Sequence, residues 1–509
     1  MNFMENLEKT IGNETQRTEN GALGYRTSGK KLIDLNFSVT SLRNKNESEI
    51  VSKFVDAYYE DKLLALKWLF FCRDREALGE RRTFRVCMKY LAENHPEVAE
   101  ALISLMPEYG RFDDMLCLLE TDLRAKTAGI LRDQLTKDME NMANEKPISL
   151  CAKWMPSRNA SSKNTKKLAS ILIKELGTTE RQYRKMLSKL RKYLDVVEIK
   201  MSSKKWDAID YSKVPSRANL VYNAAFLRND EERRRAYLAA LERGDKGVKI
   251  NGSVNFPHDI VHRYMETGWR TSLKAKDVTL EELWKALPDF VNGAGNTICV
   301  ADGSGSMTTT VGGTSVTALS VANALAIYFA EKSSGQFKNK YITFSERPQL
   351  VDFSKANTLR EKIEIALRHD EVANTNIEAV FNLILTTAIN NDMSQEDMPQ
   401  NILILSDMEF DGCARSNGGR LSHTLFDKIA KKYADLGYKL PRLVFWNINS
   451  RTGTIPVREN DLGVALVSGF SPAVVKMVLS NSTDPYICLL EQLNTERYSP
   501  VEEAVKGLI

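Results

Sequence analysis

The stretch Thr297-Ile298-Cys299-Val300-Ala301-Asp302-Gly303-Ser304-Gly305-Ser306-Met307 runs from a short apolar segment directly into an acid, two glycines and two serines. The apolar part is typical of a buried strand, and open α/β sheets bind ligands where such a strand ends in a turn. The pattern Asp302-x-Ser304-x-Ser306 offers one carboxylate and two hydroxyls. These hard oxygen donors favour Mg²⁺ or Mn²⁺ over zinc. The stretch therefore predicts a divalent-metal site at the edge of a sheet.

From about residue 295 onward, strand-like and helix-like segments alternate along the chain. Alternation of this kind is typical of a mainly parallel, doubly wound (Rossmann-like) sheet with helices between its strands. The link between residues 344 and 349 is too short for a helix, so we expect one antiparallel edge strand. The predicted strands are 297–301, 340–344, 349–353, 401–406, 442–447 and 463–467.

The chain before residue 285 has helical periodicity instead. From Ser48 onward apolar residues recur at spacings of three and four, and Pro96, Pro107 and Gly110 separate short helical segments. This arrangement is typical of a HEAT-like α-helical array. The predicted fold is therefore α plus α/β, in four parts: a disordered or loosely held tail (1–20), an α-helical domain (21–285), an α/β domain (286–480) and a C-terminal segment that packs back on the body (481–509).

The length and composition exclude several classes of protein. A chain of 509 residues is too long for one hydrophobic core, so at least two domains are expected. No uncharged apolar run reaches the ~18 residues that a transmembrane helix needs, and the polar N-terminus does not resemble a signal peptide. The seven cysteines are scattered and never spaced as CxxC. We therefore expect a cytoplasmic protein without disulfides.

The net charge of +5 is unevenly distributed along the chain. Between Lys153 and Lys205 there are fifteen Lys or Arg residues and only four Asp or Glu residues, which indicates a polyanion-binding surface. Basic side chains would neutralise RNA phosphates, and an aromatic residue could stack on unpaired bases. The predicted RNA contacts are Lys153, Arg158, Lys163, Lys166, Lys167, Arg181, Arg184, Lys185, Lys189, Arg191, Lys192 and Trp206. The sequence leaves the alternative open that this segment is a solvated helix face with its tyrosines in the core.

Two later segments complete a known pattern. The stretch from Asp302 to Ser306, then Thr375 in NTNIEAVF and Asp407 in ILILSDMEF, resembles the metal-ion-dependent adhesion site of von Willebrand factor A (vWA) domains. The resemblance implies that Asp302 and Asp407 anchor Mg²⁺ or Mn²⁺. It also implies that Ser304, Ser306 and Thr375 contact the metal directly or through water. One coordination position would stay open for a carboxylate from an acidic protein partner.

The wider chain resembles a family of unknown function. The segments LALKWLFFCRDREALGERRTF, AKWMPSRNASS and VPSRANLVY, with SDMEFD and LVSGF farther on, are similar to the domain-of-unknown-function 2828 (DUF2828) family. Those proteins join a helical half to a C-terminal vWA domain. The architecture also resembles the TROVE-module proteins of the Ro autoantigen family, in which HEAT-like helices and a vWA domain close a ring that binds RNA. This likeness implies RNA binding by the helical half.

These patterns together predict a non-enzymatic binding protein. The chain has no P-loop and no dinucleotide-binding glycine pattern after a strand, so no nucleotide cofactor is expected. Ser304 does not fit the GxSxG pattern of a hydrolase nucleophile, because Asp302 and Ser306 occupy the two positions where that pattern requires glycine. One alternative is a protein-interaction scaffold whose basic face binds an acidic protein. Another is a metal-dependent nuclease that uses Asp302, Asp407 and Glu409, although the position of Glu409 favours a loop acid beyond the strand end.

Overall fold

The structure is a computed structural model that describes residues 15–17, 23–266, 272–291, 296–312, 314–370, 376–409, 423–453, 455, 464–474 and 484–509. By its contacts the chain divides into two compact units. The first, here called the sheet unit, comprises Met1–Glu60 and Gly252–Leu493. The second, the helical unit, comprises Asp61–Asn251 and Asn494–Ile509. None of the described helices is long and apolar enough to cross a membrane.

The α-helices are numbered in chain order over both units. The described helices are α1 (Lys31–Ser38), α2 (Glu47–Glu60), α3 (Lys62–Arg73), α4 (Arg82–Asn94), α5 (Pro96–Leu102), α6 (Met106–Tyr109), α7 (Arg124–Ala143), α8 (Cys151–Trp154), α9 (Lys163–Glu175), α10 (Glu180–Tyr193), α11 (Val197–Ser202), α12 (Ser216–Asn229), α13 (Glu231–Arg243), α14 (Pro257–Tyr264), α15 (Val278–Lys285), α16 (Ala318–Lys332), α17 (Leu359–Arg368), α18 (Ile377–Asn390), α19 (His423–Asp435), α20 (Pro485–Leu493) and α21 (Ser499–Val505).

The strands are numbered in the same way. They are β1 (Thr15–Arg17), β2 (Leu23–Tyr25), β3 (Met265–Glu266), β4 (Ser272–Leu273), β5 (Thr297–Asp302), β6 (Lys340–Phe344), β7 (Leu350–Asp352), β8 (Asn401–Ser406), β9 (Arg442–Asn447) and β10 (Val464–Ser468). Two pairs, β1 with β2 and β3 with β4, form small antiparallel sheets. The other six strands form one mixed sheet in the order β10-β9-β8-β5-β6-β7.

The six-stranded sheet confirms the predicted strands to within two residues at every end. Its neighbours are parallel except at the edge, where β7 pairs antiparallel with β6 as the short link predicted. All six residues of β5 are buried, as expected of an apolar strand at the centre of a sheet. Helix α16, whose residues 318–330 are all buried, packs on β5, β6 and β8. This packing fixes the central strands, and with them the positions of the residues at their carboxyl ends.

Residues near the N-terminus belong to the sheet unit, which differs from the predicted helical domain of 21–285. Helix α1 packs on β10, and the side-chain amide of Asn447 donates a hydrogen bond to the carbonyl of Phe37 at 2.8 Å. Within the predicted loose tail, residues 15–17 form β1, and residues 1–14 and 18–20 lie outside the described residues. The sheet unit also contains α14 and α15, which the sequence assigned to the helical half.

The helical unit consists of short helices that pack on their neighbours in the chain. Helices α9 and α10 both pack on α7, and each begins with a hydroxyl cap. Ser162 accepts a hydrogen bond from the backbone N–H of Thr165, and Thr179 forms a capping box with Gln182. The predicted C-terminal segment of 481–509 is divided, because residues 494–509 belong to this unit and α21 packs on α3 and α5.

Candidate functional site

The carboxyl ends of β5 and β8 bring together the acids that the sequence placed at the metal site. The two strands are parallel neighbours in register from Thr297 opposite Asn401 to Ala301 opposite Leu405. Asp302 therefore ends β5 beside Ser406, whose hydroxyl donates to Asp302 Oδ2 at 2.6 Å. Asp407 follows at the next position. Because parallel strands end at the same edge of a sheet, two acids far apart in the chain become neighbours.

The turn after β5 brings the two predicted serines together. The backbone N–H of Ser304 donates to Asp302 Oδ1 at 2.9 Å, and the hydroxyl oxygens of Ser304 and Ser306 lie 3.0 Å apart. The hydroxyl of Ser306 also favours the ionised form of the Asp407 carboxylate. Four of the five predicted metal ligands therefore lie at one place, and Thr375 lies outside the described residues.

The two carboxylates at this edge of the sheet are buried, and hydrogen bonds do not satisfy all of their oxygens. Asp302 and Asp407 are 2% and 1% exposed. Burial, and then the negative charge of Asp302, raise the pKa of Asp407 to about 7. Asp407 Oδ2 has no hydrogen-bond partner among the described residues. A buried carboxylate oxygen left in this state is costly unless a cation or a proton neutralises it, so these residues fit a bound divalent metal.

A third carboxylate, which sequence reasoning missed, lies beside the same turn. Asp370 follows α17, and its Oδ2 accepts a hydrogen bond from the side-chain amide of Asn323 at 3.0 Å. Burial raises the pKa of Asp370 to about 7, and the charge of Asp302 adds to this rise while the Asn323 hydrogen bond opposes it. A Cβ at Gly303 would lie 3.1 Å from both Asp370 Cα and Oδ1. A larger residue at position 303 would therefore force the Asp370 segment to move.

A basic side chain, also missed from the sequence, reaches the site from the segment after β9. Arg451 Nη2 lies 3.6 Å from Asp407 Oδ2, and Arg451 Nη1 donates to the carbonyl oxygen of Ser306 at 3.4 Å. The guanidinium therefore supplies part of the positive charge that the carboxylates need. No signal in the sequence marks this arginine, because its contacts join segments more than forty residues apart.

Glu409 serves the loop and does not join the acidic site. Its Oε1 accepts hydrogen bonds from the backbone N–H groups of Arg451 at 2.7 Å and Thr452 at 2.9 Å, and from the Ser450 hydroxyl at 3.3 Å. A carboxylate engaged in this way has little capacity left for a metal. Among the described residues no group of three His, Cys, Asp or Glu side chains is arranged for a metal ion, so any metal here must also use hydroxyl oxygens.

The basic segment contains two kinds of residue. Arg191 is internal: its Nε donates to the carbonyl of Ala152 and its Nη2 to the carbonyl of Met155, both at 2.8 Å, and its Nη1 donates to Ser157 Oγ at 3.0 Å. Burial lowers the pKa of Arg191. Its three nitrogens fasten the 152–157 segment to α10. This geometry gives Arg191 a structural role, and its predicted phosphate contact stays a prediction.

Other predicted contacts are also engaged within the helical unit. Arg158 binds Glu180 Oε2 at 3.3 Å and Ser170 Oγ at 2.6 Å, and Lys167 forms an ion pair with Glu120. Trp206 is partly buried and packs against the cluster around Phe226 and Tyr211, with its ring edge-on to that of Phe226. In this part of the segment the basic side chains thus have acidic partners within the unit, and their predicted RNA contacts stay predictions.

The remaining basic residues of α9 and α10 project into solvent. None of them forms an ion pair or a side-chain hydrogen bond with the residues that the structure describes. We call them the basic surface: Lys163, Lys166, Arg181, Arg184, Lys185, Lys189 and Lys192. On α10 these residues alternate with the buried Tyr183, Leu187 and Leu190, which hold the opposite side of the helix in the core. Lys153 is half-buried, with its Nζ 5.6 Å from the centre of the Trp154 ring.

Comparison with known protein families divides the chain at residue 296, just before β5 of the six-stranded sheet. Residues 18–116 and 121–296 match the family described as domain of unknown function DUF2828, and residues 296–498 match domain of unknown function DUF7788. The C-terminal match is thus to a second family of unknown function, and the vWA interpretation stays a prediction.

One relative and one solved structure extend the comparison. The chain is 31% identical to the uncharacterized protein L728 of Acanthamoeba polyphaga mimivirus over 523 residues, which covers 95% of this chain and 88% of that protein. It also resembles the crystal structure of the Deinococcus radiodurans RO (RSR) protein, with a TM-score of 0.42 and 16% identity over 86% of this chain and 92% of that one. The family match spans more than half of the sequence, and the chain belongs to the DUF2828 family.

Proposed function

We propose that the protein is a non-enzymatic binding protein whose helical unit binds RNA through the basic surface of α9 and α10. The observation that carries this proposal is the set of seven exposed Lys and Arg side chains without an acidic partner among the described residues. On α10 they extend from Arg181 to Lys192, about 16 Å along the helix. Cations held along a helix without counter-charges attract a phosphate backbone and release its counterions.

The test is binding of a short single-stranded RNA, followed by fluorescence anisotropy at several salt concentrations. Charge reversal at Arg184, Lys185 and Lys189 should weaken binding and reduce the salt slope by about 2, since each phosphate contact on a single strand contributes about 0.7. The matched control reverses three exposed charges of α7 in the same unit: Arg124, Arg132 and Lys137. Unchanged affinity in the first variant, or equal losses in both, would contradict the proposal.

A competition experiment separates RNA binding from the scaffold alternative. If the basic surface binds an acidic protein, poly-glutamate should displace labelled RNA at concentrations similar to those of unlabelled RNA. If it binds RNA, unlabelled RNA should compete far more effectively, because stacking and ribose contacts add to the charge term. The six described cysteines are free, which suits the reducing cytoplasm that we propose as the site of this function.

For the sheet unit we propose a doubly wound, vWA-like domain that holds Mg²⁺ or Mn²⁺ at the ends of β5 and β8. Asp302, Ser304, Ser306 and Asp407 would hold the ion, with Thr375 as a further ligand. The supporting observation is the buried Asp407 Oδ2, which has no hydrogen-bond partner among the described residues beside a second buried carboxylate. When bound, the ion would present an open position to a carboxylate of a protein partner.

Titration calorimetry with Mn²⁺ tests this second proposal directly. Asp302→Asn should lower the affinity at least about tenfold, because it removes one of two charged ligands, whereas the exposed Asp435→Asn should not. The part of poly-glutamate binding that depends on Mn²⁺ should then be lost both in EDTA and in Asp302→Asn. If Asp302→Asn binds Mn²⁺ like the wild type, the ligand set is wrong. We expect no multiple-turnover cleavage of RNA in Mg²⁺, and cleavage that Asp302→Ala abolishes would establish the nuclease alternative instead.

A further inference from the structure

An arginine cluster lies in the helical unit outside the segment that the sequence singled out. At its centre, Asp114 is fully buried and its Oδ2 accepts a hydrogen bond from Arg73 Nε at 2.7 Å. Asp114 Oδ1 accepts from Arg85 Nε, also at 2.7 Å. Asp113 is bound by both Nε and Nη2 of Arg111, at 2.9 and 2.8 Å. Three arginines thus surround two carboxylates.

The backbone is shaped to allow this packing. A Cβ on Gly110 would come within 2.8 Å of Arg73 Nε and would overlap Asp114 Oδ2. Glycine at this position therefore lets the buried ion pair lie directly against the chain between α6 and the 3₁₀ helix of Phe112–Leu118. The buried Arg73 and Asp114 therefore hold the cluster against the chain, and the more exposed Arg85 and Arg111 form its solvent-facing side.

A fourth arginine lies near the solvent-facing side of the cluster, and its side chain has no acidic partner among the described residues. Arg81, which precedes α4, is exposed, and its side chain forms no hydrogen bond or ion pair with the described residues. Removal of water by the surrounding protein, and then the charges of Arg111 and Arg85, lower the pKa of Arg81 to about 10, while Asp113 and Asp114 act in the opposite direction. Four guanidinium groups and two carboxylates leave a surplus of two positive charges.

A second observation concerns Arg85. Its Nη2 is buried and is ion-paired with Asp113 Oδ2 at 3.0 Å, but it makes no hydrogen bond of acceptable geometry with the described residues. Buried guanidinium N–H groups normally find acceptors, so a phosphate oxygen that enters beside Asp113 would complete the hydrogen bonding of this group. Arg111 also stacks on Trp154, with its Cζ 3.8 Å from the ring centre, and Lys153 lies on that ring as well.

We propose that this cluster binds the terminal phosphate of an RNA strand through Arg81, Arg85 and Arg111. Planar guanidinium groups match the oxygens of a phosphate in pairs, and two surplus charges match a terminal phosphate, which carries close to two negative charges at neutral pH. A phosphodiester inside a strand carries only one. Arg191 fastens the segment next to Trp154 to α10, so the cluster is structurally linked to the helix that carries the basic surface.

This inference rests on the proposed RNA binding and adds the position of the strand end. The probe is one short single-stranded RNA with an internal fluorophore, prepared with a 5′-phosphate, a 3′-phosphate or only hydroxyl ends. The wild-type protein should bind one phosphate-ended RNA about tenfold more tightly than the hydroxyl-ended RNA, as expected for charge-assisted hydrogen bonds. Arg81→Gln should abolish this difference, and Arg132→Gln, an exposed arginine of α7, should retain it.

The outcomes separate the two proposals. Equal affinity for phosphate and hydroxyl ends in the wild type, or an end preference that survives in Arg81→Gln, overturns the terminal-phosphate site and leaves RNA binding intact. Failure of every RNA to bind at low salt overturns both. If a phosphoserine peptide displaces the phosphate-ended RNA at lower concentration than hydroxyl-ended RNA does, the anion comes from a protein and the RNA assignment is wrong. An unchanged unfolding temperature of Arg81→Gln shows that the loss is one of binding.

Discussion

Glu409 and Arg451 are joined through the backbone, because Glu409 Oε1 accepts a hydrogen bond from the N–H of Arg451 at 2.7 Å. The same oxygen holds the N–H of Thr452, and the carboxylate is only 3% exposed. This clamp fixes the loop after β9 so that the Arg451 guanidinium lies beside Asp407. An acid two residues beyond the site thus acts on it indirectly, by positioning a cation.

The first prediction concerns this clamp. Glu409→Ala leaves the N–H groups of Arg451 and Thr452 without their acceptor, which costs about 1–3 kcal/mol for each buried donor. Hydrogen exchange of these two amides, measured on the native protein by mass spectrometry, should accelerate by at least about tenfold. The exposed Glu396→Ala serves as the control. Unchanged exchange in Glu409→Ala would show that the loop is held by other contacts.

The second prediction concerns the competition between Arg451 and a metal ion. Arg451 Nη2 lies 3.6 Å from Asp407 Oδ2, so a divalent ion bound there is repelled by a nearby positive charge. Arg451→Gln should therefore tighten Mn²⁺ binding by at least about tenfold, because even at the dielectric of bulk water a unit charge and a divalent ion a few ångströms apart repel by more than about 1 kcal/mol. Titration calorimetry on this variant and on the exposed Arg347→Gln provides the comparison. A weaker affinity in Arg451→Gln would mean that the arginine holds the ligands in place.

The third prediction concerns pH. Burial raises the pKa of Asp370 from 3.8 to about 7, so between these values the folded, metal-free protein binds more protons than the unfolded chain. Stability from this group is therefore present at low pH and falls as the pH rises toward 7. Asp370→Asn removes this titration and retains an oxygen for the Asn323 hydrogen bond. In EDTA, the unfolding temperature of the wild type should fall more steeply between about pH 5 and 7 than that of the variant.

The control for this experiment is Asp352→Asn, because the Asp352 carboxylate is exposed and its hydrogen bonds to Ser354 lower its pKa. Its titration lies below the window and should leave the slope unchanged. Parallel curves for wild type and Asp370→Asn would mean that Asp370 is already ionised in the folded protein.

The parts predicted from the sequence are those with a local physical signature. Buried strands such as β5 and β8 are marked by continuous apolar runs, and their parallel pairing places Asp302 beside Asp407. Asp370, Arg451 and the Glu409 clamp could not be predicted, because each depends on a contact between segments distant in the chain. The assignment of the N-terminal residues to the sheet unit could not be predicted either, since the hydrogen bond from Asn447 to Phe37 joins residues 410 positions apart.

The charge pattern alone likewise could not distinguish the structural basic residues of the segment from the exposed ones. Arg191 and Lys189 lie two positions apart on α10, and nothing in the local sequence distinguishes them. The structure shows that Arg191 is directed at the carbonyls of Ala152 and Met155, whereas Lys189 is exposed. The difference arises from the fold of the 152–157 segment, which the periodicity of α10 does not encode.

The fourth prediction uses this pair. Arg191→Gln removes three hydrogen bonds within the helical unit, which should cost about 2 kcal/mol and lower the unfolding temperature of that unit by about 5 °C. Lys189→Gln removes an exposed charge and should leave the unfolding temperature within about 1 °C, because surface substitutions of this kind change stability little. Thermal unfolding followed by circular dichroism measures both.

The same two variants should behave in the opposite way toward RNA. Lys189→Gln should weaken binding of single-stranded RNA and reduce the salt slope by about 0.7, the value for one phosphate contact. Arg191→Gln, measured well below its unfolding temperature, should retain the wild-type slope, because its guanidinium is already engaged by protein oxygens. If Arg191→Gln loses slope without losing stability, the arginine must leave Ala152 and Met155 to bind phosphate. The 152–157 segment would then be a part of the RNA site that rearranges on binding.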